Sequence, residues 1–365
     1  MMGTFPYMLV CQMAVTTRPS VLLWSDIPVS QHPTIVDVAR VAGVSKSTVS
    51  RVLRGDGTYV RDETRHKVWA AVKALGYEHN AVASSLRTNR TFTVLLAIPD
   101  ITNPFWPEVA RGVQDLMEEH GYSVVLSNSD WDTKREQGFL RMARRNRFAA
   151  IAINPTGVTN EELRQTGLPT VILGVREGYP DFDMVGSDSY GGTLQALAYL
   201  HQLGHRRIAL IRGRRQGKRG RARLAAYQEF LQEQRLPYDP ALVMEVPFDR
   251  DGGHQAMARL LDLDPRPTAV LAANDILAIG AMQAAHRAKV AIPRDLSIIG
   301  MDDIYPATMT NPPLTTLAKA KYEIGRQAAR FLLDRIQGDR VLAPRRQVIA
   351  CRLIERGSTG PPPNG

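Results

Sequence analysis

Thr34-Ile-Val-Asp-Val-Ala-Arg-Val-Ala-Gly-Val-Ser-Lys-Ser-Thr-Val-Ser-Arg-Val-Leu53 carries two helix signatures back to back. Thr34 and Asp37 stand at capping-box spacing, and Ile35, Val38, Ala39 and Ala42 then form one apolar stripe. Gly43 stops that helix. Ser45 can cap a second, in which Val49, Val52 and Leu53 face inward while Lys46, Ser47, Ser50, Arg51 and Arg54 face outward. Two short helices joined through Ala42-Gly43-Val44-Ser45 predict a helix-turn-helix, whose second helix offers its first side chains to base edges in a DNA major groove. Lys46, Ser47 and Arg51 are the candidate readers, with Arg51 suited to a bidentate bond to guanine. A plain helical hairpin is the competing reading of the same pattern.

Working outward, Asp62 to Leu75 reads as a third helix with Val68, Trp69, Val72 and Leu75 on its buried face. Asn80 to Thr88 follows with small residues and one large apolar group, Leu86. That is too little to hold a helix on a core, so it folds only against something else. Leu86 beside Arg87 suits a minor-groove wedge, although the residues alone favour a linker.

Together, Thr34-Ile-Val-Asp-Val-Ala, Ala42-Gly-Val-Ser-Lys-Ser-Thr-Val-Ser-Arg-Val-Leu, Glu63-Thr-Arg, Leu75-Gly-Tyr, Asn80-Ala-Val-Ala and Ser85-Leu-Arg-Thr resemble the headpiece of the LacI/GalR (lactose-repressor) family. The resemblance implies a recognition helix over Ser45 to Arg54, a hinge helix over Asn80 to Leu86, and Leu86 as the wedge. Its implied DNA-binding set is Thr34, Ser45, Lys46, Ser47, Thr48, Ser50, Arg51, Asn80, Ala83, Leu86 and Arg87. Two departures stand out. Arg61 occupies a place where the family usually has a capping Ser, so Asp62 is expected to replace it, and Ser84 stands where Arg is frequent.

The charge distribution implies two separate electrostatic jobs, with two solvated charge runs as the alternative. Of a formal +10, residues 33–90 contribute +5 and residues 212–223 contribute +7, leaving a body of −2. At 365 residues with 44% hydrophobic and 22% charged, the chain can bury more than one core, which excludes global disorder, collagen-like repeats and coiled-coil rods. Cys11 and Cys351 lie at opposite ends with no metal-ligand spacing, so no metal site, no disulfide framework and no cofactor are expected. No apolar run reaches a membrane span, and residues 1–32 lack a basic leader. The expected location is the cytoplasm, with no membrane partner. Residues 1–32 read as a disordered extension or a start codon placed too far upstream.

From Thr93 onward, β-rich runs alternate with helical stretches, among them Glu108 to His120, Lys134 to Asn146 and Ala222 to Gln234. This predicts two doubly wound parallel sheets, with ligands beyond the carboxyl ends of the strands. The expected fold is an all-α helix-turn-helix headpiece plus an α/β two-lobed domain, which the family resemblance implies is like the periplasmic binding proteins. The boundaries are 33–79 for the headpiece, 80–90 for hinge and linker, 91–356 for the effector-binding and dimerisation domain, and 357–365 for a disordered tail. Pro312 to Leu317 and Tyr322 to Ile336 are expected to return to the first lobe.

Matched to the family, Asn103, Phe105, Trp106 and Phe248 are implied as cleft walls, and Arg221, Asn274 and Asp302 as polar contacts. Each also has a structural alternative: Asp302 as a turn cap, Phe105 as core, Asn274 as a helix cap. Gly174 replaces an Asp common in sugar-binding members. The implied function is a sequence-specific transcriptional repressor, a homodimer on palindromic double-stranded operator DNA, controlled by a sugar, polyol or sugar phosphate. The run Arg212 to Arg223 would suit a phosphorylated effector, or an exposed basic loop. A sugar-phosphorylating enzyme with an accessory DNA-binding domain is the alternative. Against it, the sequence shows no Walker lysine and no Ser/His/Asp set, so no catalytic residue is assigned. A transport binding protein is the third reading, disfavoured by the headpiece.

Overall fold

The computed structural model describes residues 33–53, 60–77, 91–213, 221–338 and 343–363. The chain divides into two compact units, Met1–Asn80 and Ala81–Gly365.

In the first unit, α1 (Ile35–Ala42), α2 (Lys46–Leu53) and α3 (Asp62–Leu75) pack around Val38, Val49, Val52 and Val68. The capping box forms: Thr34 Oγ1 accepts from the Asp37 N–H at 3.4 Å, and the Asp37 carboxylate accepts from the Thr34 N–H at 2.9 Å. Gly43 closes α1 at φ 66°, a left-handed conformation that costs a residue without Cβ little. Ser45 Oγ accepts from the Thr48 N–H at 3.1 Å and caps α2. Two expectations are corrected. Asp62 does not cap α3, because it is already helical and pairs with Arg65, while Arg61 at the cap position makes no side-chain bond. Trp69 is 50% exposed rather than core. The apolar stripe runs through Val68, Ala71, Val72 and Leu75, and Trp69 falls about 100° away from it.

The second unit holds two six-stranded sheets. The first has the order β11-β5-β4-β3-β1-β2 and is wholly parallel. It is built from β1 (Thr93–Ile98), β2 (Ser123–Asn128), β3 (Ala150–Ile153), β4 (Thr170–Leu173), β5 (Asp183–Ser187) and β11 (Arg346–Ile349), with helices α4 (Phe105–Glu119), α5 (Thr133–Arg145) and α6 (Asn160–Arg164) between its strands. The second has the order β12-β10-β9-β8-β6-β7, with only β12 antiparallel. It contains β6 (Ile208–Gly213), β7 (Val243–Val246), β8 (Ala269–Ala272), β9 (Ser297–Asp302), β10 (Thr315–Ala318) and β12 (Arg352–Ile354), flanked by α7 (Ser189–Gln202), α8 (Arg221–Glu233), α9 (Arg250–Leu261) and α10 (Asp275–Arg287). Each sheet buries both faces: Val94, Leu96 and Ile98 enter one core while Leu95 and Ala97 enter the other.

The chain passes between the sheets three times: after β5, between β10 and α11 (Lys321–Gln337), and between β11 and β12. The return to the first lobe therefore starts later than expected. β10 stays beside β9, and only α11 crosses, packing Ile324, Ala328 and Leu332 against Val109 and Val113 of α4. The tail is also corrected for residues 357–363. Ser358 is fully buried, its hydroxyl donating to Ile298 O at 2.6 Å and accepting from Thr315 N–H at 2.8 Å, so this segment ties down the ends of β9 and β10. Among the described residues, no helix is long and apolar enough to cross a membrane.

Candidate functional site

In the first unit, burial of Val49 and Val52 fixes which side of α2 is free. Lys46, Ser47 and Arg51 are exposed, and Thr48 and Ser50 are half-buried. Ser45 Oγ lies 2.8 Å from both Ser47 Oγ and Thr48 Oγ1, so the first turn is held by a hydroxyl cluster. Thr34 is exposed one helix earlier. This surface can meet base edges and phosphates at once. Asn80, Ala83, Leu86 and Arg87 lie outside the described residues, as does Arg54.

In the second unit, polar groups gather at the carboxyl ends of both sheets. Asp302 ends β9 at φ 129°, a strained conformation for a residue with a Cβ, which packing must sustain. Its carboxylate accepts from Lys319 Nζ at 2.7 Å, with both side chains at most 7% exposed. The same Nζ lies 5.5 Å from the centroid of the Phe105 ring, a cation–π contact. Phe105, at the start of α4, packs against the cores of both lobes. Lys321 bridges the lobes, donating to Asp302 O and Asp303 O while pairing with Glu108 at 3.3 Å.

Asn274 caps α10, accepting from the Leu277 N–H at 2.8 Å, and its buried Nδ2 has no partner among the described residues. Next to it, burial and then repulsion by Asp302 raise the Asp275 carboxyl to about 7. Phe248 lies across Gly213, where an added Cβ would overlap its ring, and meets Trp131 edge-on at 6.0 Å. Trp131 follows β2 in the first lobe, so this pair closes an aromatic wall from both lobes.

The remaining expected residues divide in role. Asn103 is buried and accepts from the Phe105 N–H at 3.0 Å, setting the turn that aims that ring. Trp106 is 7% exposed, sits in the first lobe's core and braces Phe105 edge-on. Arg221 opens α8, with its side chain outside the description. Two residues further along, Arg223 turns inward. Its Nε donates to Met301 Sδ and its Nη2 to Ser189 Oγ, both at 3.4 Å, and no carboxylate pairs with it among the described residues. Burial lowers its pKa against the attraction of Asp302.

Sequence reasoning missed Arg223, Lys319 and Trp131. For Arg223, helical phase was the available signal: Arg223, Ala226, Tyr227 and Phe230 share one face of α8. Nothing local marks Lys319, because its partner lies seventeen residues away in another strand. A surface depression of about 990 Å³ lies over α9 and α10 and holds none of these residues.

Comparison with known proteins places both units. Residues 34–80 match the description "Bacterial regulatory proteins, lacI family", and residues 197–359 match "Periplasmic binding protein-like domain". The transcriptional repressor CytR of Escherichia coli K12 is 34% identical over 332 residues, covering 89% of this chain and 96% of that protein. The ribose operon repressor of the same organism is 36% identical over 329 residues, covering 89% and 99%. The crystal structure of the lac repressor dimer bound to operator and the anti-inducer ONPF superimposes with a TM-score of 0.78 at 27% identity, covering 90% of this chain and 99% of that one. With both units matched in order, and with identity above 30% along nearly the whole of two repressors, this chain is a DNA-binding transcriptional regulator of the lacI family.

Proposed function

We propose that the chain represses transcription in the cytoplasm as a homodimer on an inverted-repeat operator, without catalytic activity of its own. Operator affinity is set by a polyhydroxylated effector carrying an anionic group, seated between the two lobes. Lys46, Ser47 and Arg51 of α2 read bases, Thr34, Ser45, Thr48 and Ser50 hold phosphates, and Asn80, Ala83, Leu86 and Arg87 form the hinge contact. A repressor whose relatives include a ribose operon repressor and a lac repressor bound to an anti-inducer supports a sugar-like ligand.

The observation that carries the effector class is Arg223. A part-buried guanidinium whose partners among the described residues are a thioether and a hydroxyl lacks a paired counter-charge, and an anion would supply it. Asp302 attracts the guanidinium without pairing with it, its carboxylate bonding Lys319 instead. Asn274 Nδ2 adds a second unanswered donor, and Phe105, Phe248 and Trp131 supply faces for a sugar ring. Thermal shifts of the full chain with matched neutral and phosphorylated sugars, with and without operator, test this reading. The phosphorylated ligand should stabilise more, and Arg223→Gln should remove that difference. Tighter binding of the neutral sugar, unchanged in Arg223→Gln, removes the anionic requirement and leaves an ordinary sugar sensor.

A further inference from the structure

The end of α5 gathers positive charge that nothing in its unit neutralises. Arg141, Arg144, Arg145 and Arg147 are all exposed, and among the described residues no carboxylate pairs with any of them. Arg135, on the same helix, does have a partner in Asp130. One cation is enough to complement a helix C-terminus, so four within seven residues exceed what helix stability calls for. Three of them, Arg141, Arg144 and Arg145, alone line a shallow hollow of about 330 Å³. Its lining is arginine stems and guanidiniums, with no aromatic residue to stack on a base or a sugar ring. Forked guanidiniums around a hollow match the oxygens of a phosphate.

The hollow lies where the chain enters the second unit. Arg147, left-handed at φ 56°, accepts through its carbonyl from both the N–H and the hydroxyl of Thr91, at 2.9 and 3.1 Å. Eleven positions separate Thr91 from Asn80, the last residue of the DNA-binding unit. Even a fully extended chain holds Thr91 within about 40 Å of it. A duplex of about 20 base pairs, at about 3.4 Å each, is longer than that tether. We propose that this arginine hollow is a second DNA-contact surface, gripping the phosphate backbone beside the half-site that α2 reads. It adds affinity and salt dependence without base preference.

The proposal rests on operator binding, so the probe is a duplex that the wild-type full chain itself selects from a random pool, prepared at 20 and at 40 base pairs. The variant is Arg141→Gln/Arg144→Gln/Arg145→Gln, whose side chains are exposed. On the 40-mer its slope of log K against log salt should become shallower by about 5, because three contacts in each of two protomers carry about 0.9 apiece. Affinity at low salt should drop at least about tenfold there and stay within about twofold on the 20-mer. The matching triple Lys variant should keep the wild-type slope. Equal slopes for wild type and Gln variant on the 40-mer overturn the proposal. So does equal weakening on both duplexes with a lowered unfolding temperature, which marks a structural role. Normal binding to both duplexes with repression lost in cells also overturns it, and assigns the surface to an acidic protein. A wild type that selects no duplex sinks the operator reading itself.

Discussion

Asp302→Asn removes one charge from a pair that the fold has buried. The Lys319 ammonium stays where it was, 7% exposed, with its 2.7 Å carboxylate partner replaced by a neutral amide. Breaking a buried pair from one side costs about 3–5 kcal/mol, since the surviving charge loses both water and partner. The Phe105 ring at 5.5 Å contacts the ammonium before and after the substitution, so it does not offset this loss. The loss should be about 3–5 kcal/mol, or roughly 5–8 °C in the unfolding midpoint of a unit this size. Differential scanning fluorimetry and urea unfolding of the full chain measure it. Asp302→Asn/Lys319→Met removes both charges and should recover stability to within about 1 kcal/mol of wild type. A single variant within about 1 kcal/mol of wild type, or a double variant no more stable than the single, would refute the view that the pair is a buried, mutually dependent one.

Three further outcomes are expected. Arg51→Ala should cost about 1–3 kcal/mol on the selected operator in a fluorescence-anisotropy titration and much less on random duplex, whereas equal losses on both would make Arg51 a phosphate contact. Asp275 has a folded pKa of about 7 against an ordinary 3.8, so the native state holds the proton through that window and stability should fall as pH rises from about 4 to about 7. Asp275→Asn should flatten that fall in urea titrations, and parallel curves would argue against it. Ser358→Ala leaves the Thr315 N–H without its acceptor and should cost about 1–3 kcal/mol by thermal unfolding, a result that a disordered tail would not produce.

Local chemistry made much of this protein legible in one dimension. The Thr34/Asp37 box, Gly43 and Ser45 specify their helix ends through bonds spanning three or four residues, and they form as read. Helices expected at Lys134 to Asn146 and Ala222 to Gln234 occur at Thr133–Arg145 and Arg221–Glu233, because a 3.6-residue period over a dozen positions leaves little freedom of phase. Trp69 shows the limit of that signal, since a bulky apolar residue one position off the stripe was counted into it.

What only the tertiary structure decided depends on partners distant in sequence. The four-residue strands β4, β11 and the short β12 carry too few residues for an alternation to show, and exist because neighbouring strands offer their unpaired edges. The Lys319–Asp302 pair, the Trp131–Phe248 wall, the inward turn of Arg223 and the anchoring of Ser358 each join segments that no window of sequence contains. A helix cap draws its free energy from atoms a few residues away, so sequence alone determines it. A buried ion pair or an aromatic wall draws its own from burial by the whole fold, so it exists only once the strands have been ordered.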